Sequence, residues 1–500
     1  MALLQAATQS GIVQGIPCGN PVFTVFKGIP FAAPPVGELR WKAPQPPTPW
    51  EGIKLADHFA AACPQEPYVN RDATEYPLPP LEESEDCLYL NIWTPALKAG
   101  ENLPVAVFIH GGGYEAGYSY RPYCDGQGFA KRGVILVTIA YRVNVFGFLA
   151  HPELEEEDPH KSTGNYGTLD IIAAIQWVKK NIYAFGGNPD NLTIFGQSAG
   201  GFAAQDMCAT PLLKGAFQRA IFQSGGGLSK NGVLAAPYKE EAEALGKEFL
   251  AFCGFSHIEE ARKAPASYLV SRYTAFKKAI HEPYPFVPIV DGYVLPEKPE
   301  DYFLAGKHDD IDTMVGVTSD ELRVFGAPAP SYEQIRNSVQ KRFGDLADQY
   351  CQCIHADDPL LCQPYFEDPL GEDMLAADFA WCINQNRLGR KPAYQYYFTY
   401  VPTGADKAHH SAEHHYVFQT LLRSKRPYTG KDFDLSNELA DFWTNFIKTG
   451  NPNGDGPVIW TPYTEDSPKG LDIGEQRVMR EIPKNPNVSF MADYSLHNLT

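Results

Sequence analysis

Short runs of apolar residues alternate with longer segments of helical periodicity along the first half of the chain. Residues 105–109 and 134–140 are continuous apolar runs of strand length, which is typical of strands buried on both faces of a sheet. Residues 169–182 instead place apolar side chains at a period near 3.6, which predicts a helix. This alternation predicts an α/β fold, with a central, mostly parallel, twisted sheet and helices on both faces.

The same patterns continue towards the end of the chain. Further strands are predicted at 192–195, 220–223, 313–317 and 394–400, an opening hairpin within 10–26, and helices at 201–208 and 435–447. Residues at about 325–390 are rich in helical patterns, and we expect them to form a cap over one rim of the sheet. No internal repeat is evident. We expect a single domain spanning residues 1–500.

Composition narrows the classes of function. The 500 residues carry a formal charge of -18, with 44% hydrophobic and 20% charged residues. An acidic chain disfavours nucleic acid, which needs clustered Lys and Arg, and no apolar run approaches the ~20 residues that span a bilayer. The first residues lack a basic segment followed by a long apolar one. We therefore expect a cytoplasmic protein without membrane insertion, or a secreted one if a signal was removed.

A glycine-flanked serine follows the predicted strand at 192–195. Gly196, Ser198 and Gly200 fit the nucleophile-elbow pattern G-x-S-x-G, in which a strand reverses sharply into a helix. Glycine is required on both sides of the serine because the backbone segments approach too closely for a Cβ. The pattern predicts that Ser198 is a nucleophile, exposed at the start of a helix whose first amide groups, beginning at Ala199, favour negative charge.

A second glycine-rich segment follows the strand predicted at 105–109. His110 and three glycines match the HGGG-type loop that supplies backbone donors to an oxyanion. Glycine lets the backbone approach a substrate closely, and each donor is typically worth about 3 to 4 kcal/mol in the transition state. This segment therefore predicts acyl-transfer chemistry next to Ser198.

A nucleophilic serine needs a base, and the base needs a carboxylate that holds its tautomer. Candidates follow two later strands: Asp320 and Glu321 after 313–317, and His409, His410, His414 and His415 after 394–400. Chain position alone does not separate the members of either group. The four histidines with Glu413 also admit a metal site, but the loop has no further ligand cluster, so we expect neither metal nor cofactor.

Several long motifs identify the chain as similar to the type-B carboxylesterases, the family of the α/β-hydrolase superfamily that includes cholinesterases and bacterial carboxylesterases. They include FKGIPFAAPPVGELRW, EDCLYLNIW, HGGGY, FGGNPDNLTIFGQSAGG, GVTSDE, HSAEHHYVF and FWTNFIKTGNPNG, in family order. The resemblance implies an α/β-hydrolase fold and a serine carboxylesterase with a triad of Ser198, Glu321 and His410. It also implies oxyanion donors from Gly112, Gly113 and Ala199, and support of the triad acid by Ser224.

The chain departs from the family pattern at two places where glycine is common. Ser411 and Leu322 stand there, which leaves the local loop geometry open. Cys63 and Cys87 match cysteines that secreted relatives join. We expect them to be reduced here.

The resemblance also implies a class of substrate. Choline-binding relatives place a tryptophan between the positions of Cys63 and Cys87, and this chain has none, so a quaternary ammonium group loses its cation–π partner. We therefore expect small, uncharged short-chain or aryl esters, hydrolysed by a monomer or weak homo-oligomer. Three tyrosines near the glycine-rich segment, Tyr114, Tyr118 and Tyr120, are candidates to line a pocket for an aryl acyl group. The alternative is that they belong to the core or to the rim. The alternatives are hydroxycinnamoyl (feruloyl) esters of plant cell walls as substrates, or a non-catalytic adhesion module.

Overall fold

The computed structural model describes residues 2–19, 22–66 and 81–499. The strands in these ranges are β1 (Gln5–Thr8), β2 (Gly11–Gln14), β3 (Ile16–Cys18), β4 (Phe23–Pro30), β5 (Ile53–Leu55), β6 (Tyr89–Thr94), β7 (Leu103–Ile109), β8 (Ile135–Ile139), β9 (Gly187–Gln197), β10 (Arg219–Gln223), β11 (Asp312–Thr318), β12 (Tyr394–Phe398), β13 (Gly470–Ile473) and β14 (Arg477–Arg480).

The α-helices of the described ranges connect and cover these strands. They are α1 (Gln127–Ala130), α2 (Asn144–Phe148), α3 (Pro152–Glu157), α4 (Tyr166–Asn181), α5 (Ala199–Ala209), α6 (Lys239–Cys253), α7 (Ile258–Arg262), α8 (Ala266–Ile280), α9 (Pro299–Leu304), α10 (Tyr332–Phe343), α11 (Ala347–Cys353), α12 (Pro359–Cys362), α13 (Pro369–Arg387), α14 (His414–Val417), α15 (Gly430–Thr449) and α16 (Pro486–Ser495). No helix in the part of the chain that the structure describes is long and apolar enough to cross a membrane.

The main sheet has eleven strands in the order β14-β13-β12-β11-β10-β9-β7-β8-β6-β4-β3. Strands from β8 to β13 along this order are parallel to their neighbours, and both margins are antiparallel. β1, β2 and β5 form a separate small sheet. The predicted α/β fold is confirmed. In such a sheet, the loops after adjacent parallel strands meet at one edge, where active groups collect.

Alternate residues of β7 supply the two faces of the core. Val105, Val107 and Ile109 are fully buried in one hydrophobic cluster, which α4 completes. Ala106 and Phe108 are fully buried in another, which α15 completes. Because both faces of the strand are covered, its sequence is a continuous apolar run rather than an alternating one.

The region predicted to be a cap contains α10 to α13. Part of it packs directly on the sheet, because Trp381 of α13 donates from Nε1 to Thr313 Oγ1 over 3.1 Å and packs edge-on against Phe222 of β10. The division of the chain into a single domain with a cap at about 325–390 stays a prediction.

Candidate active site

The predicted elbow lies between β9 and α5. Ser198 has φ 57° and ψ -130°, a strained conformation for a residue with a Cβ. A Cβ added to Gly196 would lie 2.1 Å from the carbonyl oxygen of Gly200, and one added to Gly200 would lie 2.1 Å from that of Ile109. Glycine is therefore required at both flanking positions, and their contacts hold the serine in its turn.

We expect Gly200→Ala to lower the free energy of unfolding by about 3 kcal/mol, the upper end of the usual cost of overpacking. The new methyl group meets a backbone carbonyl of β7 that cannot move without disturbing the sheet. Urea denaturation measures the change. Gly430→Ala is the matched control, because nothing lies within 4 Å of a Cβ at that position. Equal losses of stability in the two variants would refute the close-contact explanation.

Glu321 and His410 are hydrogen-bonded to each other beyond the ends of β11 and β12. Nδ1 of His410 bonds to Oε2 of Glu321, whose side chain is completely buried, while the His410 side chain is 19% exposed. The amide of Thr318 donates to Oε1 of Glu321 over 2.7 Å. The backbone amide of His410 donates to the Glu321 carbonyl oxygen over 2.8 Å. The imidazole is thus held by a carboxylate that is itself fixed in place.

The electrostatics of this pair favour ionised Glu321. Burial alone would raise the pKa of Glu321, but the charge and hydrogen bond of His410, helped by Ser224 and Thr318, lower the pKa below its usual range. Burial likewise acts to lower the pKa of His410, and Glu321 overcomes it, so that the pKa of His410 is raised. A histidine with a raised pKa is a stronger base.

The other imidazole nitrogen faces the elbow. Nε2 of His410 lies 2.8 Å from Nε2 of Gln197, the residue that precedes Ser198. If Gln197 donates an amide hydrogen to Nε2 of His410, that nitrogen must carry a lone pair. The single N–H of the neutral imidazole is then on Nδ1, facing Glu321. The Ser198 hydroxyl forms no hydrogen bond with any described residue. With this amide orientation, the lone pair of the His410 imidazole lies on Nε2, beside the residue that precedes Ser198.

Asp320, the alternative acid, is directed elsewhere. Its carboxylate is 16% exposed and lies 3.3 Å from Nε of Arg323, and it accepts the hydroxyl hydrogen of Ser319 over 2.8 Å. Glu321, one residue later, is the one that contacts the imidazole. The fold thus assigns the two neighbouring carboxylates to different surroundings.

The alternative histidines also occupy separate surroundings. His414 is fully buried and packs against the rings of Phe108 and Tyr123. His415 contacts Thr420 Oγ1 through Nδ1 over 2.9 Å, and burial lowers its pKa to about 3. His409 Nδ1 lies 2.9 Å from the carbonyl oxygen of His410. Within the described ranges, no group of three or more His, Cys, Asp or Glu side chains could hold a metal ion.

Three backbone amides near Ser198 each follow a carbonyl group that is held by a polar contact. The carbonyl oxygen of Gly111 lies 3.1 Å from Nδ1 of His110, and that of Gly112 accepts the Glu115 amide over 3.0 Å. The carbonyl of Ser198 accepts the Gly201 amide over 2.8 Å. Because a trans peptide directs its N–H opposite to its C=O, these bonds set the directions of the next amides, those of Gly112, Gly113 and Ala199.

These three amides donate to no other group among the described residues. A Cβ on Gly111 would lie 2.9 Å from the Cβ of Ser198, so the glycine loop is packed against the serine. Amide donors that are fixed in direction and have no other acceptor are suited to stabilising an oxyanion.

Ser224 directly follows β10. It is completely buried with φ 48°, and its amide donates to the Gly316 carbonyl over 2.8 Å. Its hydroxyl forms no hydrogen bond of good geometry with the described residues. It nevertheless lies near enough to the Glu321 carboxylate to lower the pKa of that group.

The two departures from the family pattern have different structural consequences. Ser411 has φ 70°, so the serine takes the left-handed conformation that glycine adopts readily. Leu322 is 41% exposed, and its backbone φ is not positive. Ser411 thus adopts the left-handed conformation without being glycine. Leu322 does not have this conformation, so glycine is not required there.

The tyrosines and cysteines named from the sequence also have defined environments. Tyr114 is 1% exposed and belongs to the core, whereas Tyr118 and Tyr120 are partly buried, with ring centroids 4.8 Å apart. Cys63 and Cys87 are buried free thiols, and the Cys63 thiol acts to raise the pKa of Cys87. Most of the stretch between these cysteines, where the choline-binding tryptophan would stand, lies outside the described residues.

Two residues at this site were not predicted from the sequence. One is Gln197, at Nε2 of His410. The other is Tyr284, whose ring carbon Cε1 would lie 2.4 Å from a Cβ on Gly113. Gln197 is identifiable in principle from its place beside Ser198, but no periodicity or motif marks Tyr284.

The chain is similar to known proteins over nearly its whole length. A family model described as the carboxylesterase family matches residues 3–491. A fumonisin B1 esterase from Sphingopyxis macrogoltabida is 37% identical over 94% of this chain and 86% of its own length. A para-nitrobenzyl esterase from Bacillus subtilis (strain 168) is 33% identical over 96% of both chains. A solved structure of a PNB esterase, 32% identical, superposes with a TM-score of 0.82 over 96% of this chain and 97% of that chain.

Proposed function

Since the chain belongs to the carboxylesterase family and is an ester-hydrolysing enzyme, we propose that Ser198, Glu321 and His410 form its catalytic triad. The observation that carries this proposal is the imidazole of His410, bonded to buried Glu321 through Nδ1 and presenting Nε2 to the residue beside Ser198. Each residue has the surroundings that its role requires. The serine is on an elbow, the base has a fixed tautomer, and the acid is buried and ionised.

In the first half of the reaction, Nε2 of His410 takes the hydroxyl proton of Ser198 as Oγ attacks the ester carbonyl. The Gln197 amide, which faces Nε2 here, gives way to the serine hydroxyl at this point. The tetrahedral oxyanion accepts hydrogen bonds from the amides of Gly112, Gly113 and Ala199. The C–O bond to the alcohol then breaks, and the protonated imidazole gives its proton to the leaving oxygen.

In the second half, water replaces the alcohol. His410 takes a proton from a water molecule as the water oxygen attacks the acyl-enzyme. The same amides hold the second tetrahedral intermediate. The bond to Oγ then breaks, and Ser198 receives the proton from His410 as the acid is released. Ionised Glu321 stabilises the imidazolium in both halves because it lies against Nδ1–H. Ser224 supports the charge on Glu321.

We propose uncharged short-chain or aryl esters as the substrate class. The ring of Tyr284 lies on Gly113, so an aromatic surface borders the proposed oxyanion donors. The Bacillus subtilis relative is named a para-nitrobenzyl esterase, and an ester that carries an aromatic ring suits such a surface. The chain has no tryptophan between Cys63 and Cys87 to receive a quaternary ammonium group.

A substrate panel tests this proposal. We expect p-nitrophenyl acetate and butyrate to give kcat/KM values at least about 10-fold above acetylthiocholine, since a lost cation–π contact costs up to about 2 kcal/mol. Chromogenic assays of the purified chain measure the rates, with Ser198→Ala as the blank. No Ser198-dependent hydrolysis of any uncharged ester would refute the proposal. A marked preference for methyl ferulate would establish the hydroxycinnamoyl esterase alternative instead.

A further inference from the structure

Glu115 follows the oxyanion glycines by two residues, and its side chain is turned into the protein. The carboxylate is only 12% exposed. It accepts hydrogen bonds from the hydroxyl of Tyr273 and the ammonium of Lys277. Both partners lie on α8, one helical turn apart, so they project from the same face of that helix. The glycine loop is thus connected to a helix far away in the sequence.

The helix side of this connection is firmly packed. Tyr273 is 3% exposed, and its ring is stacked on Phe286 with centroids 5.6 Å apart. Phe249 of α6 packs edge-on against the same tyrosine, at 6.2 Å. A side chain held in this way is a fixed point against which the loop can be positioned.

The backbone of Glu115 transmits this fixed position to the glycines. Its amide donates to the Gly112 carbonyl over 3.0 Å, and its own carbonyl accepts from Nδ2 of Asn144 over 3.1 Å. The direction of the Gly112 carbonyl sets the direction of the Gly113 amide, because both belong to one planar peptide. The position of Glu115 and the aim of an oxyanion donor are therefore mechanically linked.

We propose that Glu115, held by Lys277 and Tyr273, is a positioning residue that keeps the Gly113 amide aimed at the oxyanion. This inference rests on the proposed function. The carboxylate does not touch the substrate in this role. It acts through the loop, and its loss lets the Gly112–Gly113 peptide rotate away from the direction that the tetrahedral intermediate requires.

The charges around Glu115 make the contact sensitive to pH. Burial raises the pKa of Glu115 to about 7, although Lys277 and Tyr273 act in the opposite direction and Glu66 adds to the rise. Protonation therefore weakens the contact with Lys277 as the pH falls through about 7. The substitution Glu115→Gln removes this titration and keeps much of the side-chain shape.

We expect Glu115→Ala to lower kcat for p-nitrophenyl acetate by about 10- to 100-fold, with KM changed less than about 2-fold. A lost oxyanion donor costs about 100- to 1,000-fold, and a misdirected one less. Lys277→Met should lower kcat by about 10-fold, and Glu115→Gln should recover part of the loss because Tyr273 can still donate to it. Lys278→Met, on an exposed neighbour in α8, is the matched control and should leave kcat unchanged.

All rates are expressed per active site, titrated with a fluorophosphonate, so that misfolded protein does not contribute. The rate constant of phosphonylation should fall in parallel with kcat, because the same amides hold the phosphoryl oxygen. A fall in the titrated fraction alone, with normal kcat per site, would mean a purely structural role and refute the inference. A rise in KM at constant kcat would refute it in favour of substrate contact. If the wild-type chain hydrolyses the ester and Ser198→Ala does not, the proposed function holds whatever the Glu115 variants show. Failure of this inference is then distinguished from failure of the proposed function.

Discussion

We expect Ser198→Ala to lower kcat for an activated ester by about 10⁶-fold, as loss of the nucleophile does in other serine hydrolases. The variant retains the oxyanion amides and His410, but no acyl-enzyme can form. The fold should survive, because the contacts that hold the elbow come from the glycines around position 198 and from the amide of residue 198 to the Gln223 carbonyl, at 2.9 Å. Steady-state kinetics and a denaturation curve measure the two effects separately.

Covalent labelling provides the control for this prediction. The wild-type chain should gain the mass of one fluorophosphonate adduct, mapped to the peptide that contains Ser198, as activity is lost. Ser229→Ala, a substitution outside the proposed triad, should be labelled and active like the wild type. Labelling of Ser198→Ala at the wild-type rate, or turnover within about 10-fold of wild type, would remove Ser198 from the mechanism.

The elements that form the site were predictable where the sequence carries a local physical reason. β7 is apolar without interruption because both of its faces are buried, and the elbow needs glycine because backbone lies within 2.1 Å of each missing Cβ. The short strands β13 and β14 were not predicted. β14 carries arginine at both ends and lies at the edge of the sheet, where solvent reaches it, so no continuous apolar run marks it.

The contacts between distant parts of the chain were beyond the sequence patterns. Residue spacing left Asp320 and Glu321 equivalent, and only the resemblance favoured Glu321. The structure distinguishes them because the loop after β11 turns Glu321 into the protein and leaves Asp320 beside Arg323. The connection of Glu115 to α8 is a similar case, since neither periodicity nor a motif relates a residue after β7 to a helix more than a hundred residues later.

We expect Glu321→Gln to lower kcat by about 10⁴-fold, the loss that follows the equivalent change in a serine protease triad. The glutamine amide can turn its NH₂ towards Nδ1 of His410 and thereby favour the tautomer with its hydrogen on Nε2, which cannot accept the proton of Ser198. The imidazolium also loses its buried countercharge. Asp320→Asn is the matched control: it removes a neighbouring carboxylate that contacts Arg323, and it should cost less than about 3-fold.

The pH profile separates this explanation from a general loss of structure. The base must be neutral, and Glu321 raises the pKa of His410. With Glu115→Gln as the common background, so that position 115 does not titrate, kcat/KM should therefore fall on acidification with a midpoint above about 6.5, the ordinary value for histidine. In Glu321→Gln the opposing effect of burial remains, so the midpoint for the residual activity should move to lower pH. An unchanged midpoint, or an equal loss of activity in Asp320→Asn, would show that Glu321 does not set the basicity of His410. A misfolded variant would lose activity at every pH without moving the midpoint, because the shift arises only where His410 still acts as the base.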